Sequence, residues 1–160
     1  MPCFLFTYHA HGSWLPERAR GYVKRGQGIL PPDNHMHRLY SESMAQPIVV
    51  FESDIQQLLI RTILESSSKQ DFEIYFIATD STHVHVLLGW RDNRRGTRLR
   101  GQLKWSLSHA LNLKLQKRKW LAEKGSCKQV KDRQHFDYLR NSYLPKHNGW
   151  KWRPDLGLHE

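Results

Sequence analysis

The spacing of apolar and polar positions predicts most of the elements of this chain. Residues 3–8 (CFLFTY) are short, aromatic and apolar, which predicts a strand. Residues 12–47 are rich in Gly, Pro and charge and predict a long loop or insertion. In residues 54–68, Ile55, Leu58, Leu59, Thr62 and Ile63 recur at three- and four-residue spacing, so a helix is expected, with Ser53 or Asp54 as its cap. Residues 72–78 (FEIYFIA) and 82–90 (THVHVLLGW) read as strands, and Thr79-Asp80-Ser81 between them is turn chemistry. An antiparallel hairpin follows. A basic loop, residues 91–96, leads to a helix over 97–117, where Leu99, Leu103, Leu107, Ala110, Leu111 and Leu115 form one apolar stripe. Residues 120–130 predict a strand pair turning near Lys124-Gly125. Residues 132–144 (DRQHFDYLRNSYL) predict a last helix capped by Asp132. The tail HNGWKWRPDLGLHE is aromatic and basic.

This order fits a single α+β domain over residues 1–160, with helices packed on an antiparallel sheet. At 160 residues the chain is long enough to bury a core. Neither a repeat nor a dividing linker is evident. Cys3 and Cys127 form no CxxC and suggest neither a disulfide scaffold nor a zinc site. No apolar run reaches the roughly 18–20 residues of a membrane span. The start MPCFLFTYHAHGSW lacks the pattern of a signal peptide, so a cytoplasmic location is expected.

Charge changes the picture. The formal net charge is +10, which favours polyanionic partners, nucleic acid above all. Six Trp and six Tyr add rings on which bases can stack. Arg91, Arg94, Arg95, Arg98, Arg100 and Lys104 follow the second hairpin strand directly and read as contacts to a phosphate backbone. Lys131, Arg133 and Lys151 add charge around the last helix. Trp150, Trp152 and Trp14 are candidate stacking platforms, and Arg18, Arg20, Lys24 and Arg25 offer a second contact within the long loop. Each of these has an ordinary alternative in a solvated face or core packing.

Three His-x-His pairs occur: His9/His11, His35/His37 and His83/His85. Strand side chains alternate between faces, so in THVHV the two valines face one way and the two histidines the other. The imidazoles then stand roughly 6–7 Å apart at Cα, by the strand rise of about 3.3 Å per residue. Both can converge on one divalent ion. The ordinary alternative is a pair of half-buried, hydrogen-bonded strand histidines. His9/His11 has similar geometry at a strand end, and His35/His37 lies in the loop.

The pair HVHVLL, a long basic helix after it, and HFDYLRNSYLPKHNGWKW downstream together resemble the HUH class of single-strand DNA transposases. The likeness is to the single-tyrosine transposases of small insertion sequences and their REP-associated relatives, and it spans residues 4–152. The resemblance implies a ferredoxin-like or RRM-like fold, which agrees with the order above. It implies a divalent metal, Mg or Mn, held by His83 and His85. It implies a tyrosine nucleophile that becomes joined to a 5′ phosphate of single-stranded or hairpin DNA, and a possible homodimer.

A phenol is only slightly ionised at neutral pH, its ordinary pKa being about 10, so charge withdrawal at the phosphate must compensate. Tyr143 and Tyr138 compete for the role. Tyr143 is favoured because His147 lies at i+4, where the family places its third metal ligand. Two departures stand against this: the usual third ligand is Gln, and Pro145 between the two residues can end the helix and turn His147 away. The runner-up function is a catalytically inactive or domesticated single-strand-binding protein of the same fold. A third is an unrelated metal-dependent phosphoesterase.

Overall fold

The computed structural model describes residues 1–13, 22–24, 28–30 and 47–160. Its centre is a six-stranded antiparallel sheet with strand order β6-β1-β5-β4-β7-β8. Along the chain run β1 (Cys3–His9), β2 (Tyr22–Lys24), β3 (Gly28–Leu30), α1 (Ser53–Gln70), β4 (Glu73–Asp80) and β5 (His83–Gly89). Then come α2 (Gly96–Lys114), β6 (Ser126–Gln129), α3 (Arg133–Tyr138), β7 (Lys151–Arg153) and β8 (Gly157–His159). Within this, β1-α1-β4-β5-α2-β6 with order β6-β1-β5-β4 is the βαββαβ arrangement of a ferredoxin-like fold. The α+β architecture expected from the sequence is therefore present. No described helix is long and apolar enough to cross a membrane.

Side-chain alternation sorts the sheet into two faces. Val84, Val86 and Leu88 of β5 are fully buried in the main core with Phe6 and Tyr8 of β1, Leu59, Ile60 and Ile63 of α1, and Leu99, Leu103, Leu107 and Leu111 of α2. The four leucines carry most of the expected α2 stripe. Leu115 falls beyond the helix and is exposed. On the opposite face Leu5, Phe76, Ala78 and Leu87 form a smaller cluster, closed by Leu139 and Leu144 from the segment after α3. Both faces of β5 are thus covered, which is why all seven of its residues are buried.

Two expectations are corrected, and two stretches left open by the sequence gain strands. Residues 120–130 form no hairpin. His11 N–H donates to the Trp120 carbonyl, Ala122 N–H donates to that of His9, and β6 pairs with β1, so both halves lie along β1 rather than on each other. Between them Gly125 passes close against β1, where a Cβ would meet the Thr7 carbonyl oxygen at 2.6 Å. The tail forms the hairpin β7-β8, which extends the sheet through Ile77–Trp152 and Ala78–Lys151 pairing. Within 12–47, read as a long loop or insertion, β2 and β3 pair antiparallel. Finally, α1 starts at Ser53 after Glu52, with no side-chain cap at its N-terminus. Asp132 does cap α3, accepting from His135 N–H at 2.7 Å. His35, His37, Trp14, Arg18, Arg20 and Arg25 lie outside the described residues, as does the side chain of Lys24.

Candidate active site

The second face of the sheet carries the site. His83 and His85 project from β5 and are 7% and 6% exposed. Register sets their neighbours: His9 and Asp80 flank His83, while Thr7 and Ala78 flank His85. The third histidine arrives from the C-terminal segment. Beyond Tyr138 the α-helix widens into a π turn, Leu139–Tyr143, in which Leu144 N–H reaches back five residues to the Leu139 carbonyl. A short 3₁₀ turn follows, Leu144–Lys146, with Pro145 near its start, where a proline is tolerated. His147 then leaves the helical path in an extended conformation. Its ring centroid lies 4.7 Å from that of His85 and 5.3 Å from that of His83. Pro145 ends the helix close to where the sequence suggests, yet His147 still meets the pair.

The three imidazoles each offer one nitrogen within 4.8 Å of the others, a cluster that could hold a metal ion. Their other nitrogens are engaged. His85 Nδ1 lies 2.7 Å from Thr7 Oγ1, His83 Nδ1 lies 2.9 Å from Thr82 Oγ1, and His147 Nδ1 donates to the Leu144 carbonyl at 3.0 Å. Holding Nδ1 in this way fixes ring orientation, and in the tautomer that carries the proton on Nδ1 the lone pair is on Nε2. Burial, followed by the proximity of His83 and His147, pulls the pKa of His85 down to about 2, so its ring is neutral near pH 7. A neutral imidazole is the form that ligates.

Tyr143 stands over this cluster. Its hydroxyl is 3.4 Å from His85 Nε2, and its ring centroid is 5.3 Å from that of His147. Leu139 and Leu144, buried on either side of the turn, anchor the segment in the smaller core. Tyr138, the competing tyrosine, is 54% exposed, with its ring centroid 6.3 Å from that of Tyr143. The wider pitch of the π turn brings residues five apart onto one side.

The turn that carries His147 is braced from below. Lys151 is buried, and its ammonium donates to the His147 carbonyl at 3.0 Å and the Gly149 carbonyl at 2.9 Å. Gly149 N–H donates to the Thr79 carbonyl, and Trp150 N–H to Gln56 Oε1. Lys151, expected at a phosphate, is therefore committed to the backbone of the site. Trp150 is half-buried against the main core, with its indole N–H on Ser53 Oγ at 2.8 Å, and Trp152 packs against the same core.

The basic set after β5 lies elsewhere. Arg94 and Arg95 follow the far end of β5, about 20 Å from His83 along the strand at about 3.3 Å per residue. Arg94 is tied to Asp92 and to the Asp71 carbonyl. Arg98, Arg100 and Lys104 belong to α2, on the helix-covered face. There Arg100 donates to the Gly125 carbonyl and Lys104 to that of Glu123. Arg133 is exposed and paired with Asp137, and Lys131 is exposed. Among the described residues, the cations beside the histidines are instead Lys128 and Lys146, which the sequence reading missed. Lys128 shares the face of Leu5 and Thr7 only because β6 pairs with β1, a register that no local pattern carries. Both cysteines are free thiols.

No family model matches the chain, and no curated protein sequence matches it. Among solved structures, one of a REP-associated tyrosine transposase bound to a REP hairpin aligns over 90% of this chain and 70% of its own, with a TM-score of 0.47 and 11% identity. At 11% identity that likeness carries no residue roles across.

Proposed function

We propose that this protein is a metal-dependent single-stranded DNA transposase or endonuclease that cleaves and rejoins DNA through a covalent 5′-phosphotyrosine. The observation that carries the reading is the hydroxyl of Tyr143, 3.4 Å from His85 Nε2 at the edge of a cluster of three histidines. The Tyr143 oxygen attacks the scissile phosphorus. The Tyr–O–P bond forms, the bond from phosphorus to the 3′ oxygen breaks, and the departing 3′ oxygen takes up a proton in place of the one the phenol loses. The ester so formed conserves the bond energy, so a DNA 3′-hydroxyl can reverse the step without a nucleotide cofactor.

His83, His85 and His147 would hold the metal, and Thr7, Thr82 and the Leu144 carbonyl would orient them. When bound, a divalent ion supplies Lewis-acid withdrawal of charge from the phosphoryl oxygens. A set of three imidazoles suits a transition-metal ion better than Mg²⁺, which prefers oxygen donors. Single-stranded or hairpin DNA is the proposed partner, and the net charge of +10 supports a polyanion.

The test is incubation with Mn²⁺ or Mg²⁺ and end-labelled single-stranded hairpin DNA of varied sequence, followed by a denaturing gel. A protein–DNA adduct lost in Tyr143→Phe and in His83→Ala is expected. An adduct that survives Tyr143→Phe but not Tyr138→Phe moves the nucleophile. Cleavage with no adduct makes the protein a phosphoesterase, and binding with neither makes it a binding module.

A further inference from the structure

Tyr143 separates two hollows. One, of about 230 Å³, is lined by Asp80, His83, Tyr143, Lys146 and His147. The other, of about 220 Å³, is lined by Leu5, Thr7, His85, Lys128, His135, Tyr138, Leu139 and Tyr143. Their chemistry differs. The first contains a carboxylate. The second has an apolar floor from Leu5 and Leu139, two phenol rings and, among the described residues, no carboxylate in its lining. His135 Nδ1 accepts the Lys131 backbone N–H at 3.2 Å, so in the neutral ring the proton sits on Nε2 and that atom is a donor. Lys128 is exposed at the same hollow.

We infer that this second hollow seats an unpaired nucleobase next to the scissile phosphate, stacked against Tyr138, with Lys128 on an adjoining phosphate. The inference rests on the DNA-cleaving reading above and gives it a place on the substrate. A flat heterocycle with ring-nitrogen and keto acceptors matches an apolar floor with donors at the rim. Tyr138 is half-exposed, so one side of its ring can receive a base. A base still paired in a duplex has its ring faces covered by its neighbours and cannot enter, so the hollow selects single-stranded DNA. The sequence read Tyr138 as a rival nucleophile; the hollow gives it a binding role beside Tyr143.

The experiment uses the full chain in EDTA, so that binding is measured without cleavage, and short random-sequence single strands carrying 5-iododeoxyuridine. After irradiation, the cross-linked peptide is mapped by mass spectrometry, and affinity is measured against salt by fluorescence anisotropy. The expected cross-link is at Tyr138. Tyr138→Leu should weaken binding about fivefold or more with an unchanged salt slope, and Tyr138→Phe should restore it. Lys128→Gln should instead flatten the slope of log affinity against log salt by about 0.7, one phosphate contact on a single strand. Cross-links mapped outside the hollow, or variants that bind like the parent, overturn the inference while leaving adduct formation intact. A parent protein that binds no DNA overturns the function as well.

Discussion

Lys151→Met isolates the brace beneath the third histidine. Lys151 donates to the carbonyls of His147 and Gly149, and it is buried. Hydrogen bonds from a charged donor contribute about 1.5–3 kcal/mol each. Against two of them stands the desolvation of a buried ammonium, which costs several kcal/mol and is removed by the change to methionine. Overall stability should therefore move by only about 1 kcal/mol in either direction. Metal affinity should move more, because the lost bonds orient His147, the proposed third ligand. Removing a partner that orients a metal ligand typically weakens binding 10–100-fold, and about 2 kcal/mol here corresponds to roughly 30-fold. The assay is Mn²⁺ titration followed by electron paramagnetic resonance, with a urea melt as control for folding. The same change is then made in a His147→Ala background. If Lys151 acts through His147, it should have nothing left to lose there, and the double-mutant cycle should return most of the single-mutant effect as coupling. An affinity within twofold of the parent, or an equal loss in both backgrounds, refutes the reasoning.

Three further outcomes are expected. Gly149→Ala places a Cβ 2.3 Å from Gln56 Oε1 and 2.5 Å from the Thr79 carbonyl oxygen, so it should cost about 1–3 kcal/mol in a urea melt, and a neutral result would mean the turn has room to shift. Thr7→Val removes the hydroxyl at His85 Nδ1 with little change in volume, and Mn²⁺ affinity should fall about tenfold while far-ultraviolet circular dichroism is unchanged. Burial, with His83 and His147 close by, holds the pKa of His85 at about 2, whereas the unfolded chain protonates near 6.5. Below pH 6.5 the unfolded state therefore binds the extra proton. The metal-free protein should lose about 2 kcal/mol between pH 6.5 and 5, and an identical loss in His85→Gln would exclude His85 as the source.

What the sequence determined on its own is the direction in which side chains point. Alternation in THVHVLL put the valines in the core and the histidines on the other face, because a strand has a period of two whatever surrounds it. The leucine spacing of α2 and the Asp132 cap are local for the same reason. The choice of Tyr143 over Tyr138 rested on i+4 spacing to His147. Those residues do end up adjacent, but by a π turn, a 3₁₀ turn and an extended residue, not by a continuous α-helix. The i→i+5 bond there depends on Leu139 and Leu144 both reaching the smaller core, which is a tertiary requirement. Tertiary structure also decided which segments became neighbours. Pairing of β6 with β1 put Lys128 near His85, pairing of β7 with β4 buried Lys151 beneath His147, and the length of β5 carried Arg94 and Arg95 away from the histidines. Side-chain direction follows from a few consecutive backbone angles and is written locally. Neighbourhood across a sheet follows from long-range pairing, which is settled only when the whole chain buries its apolar surface at once.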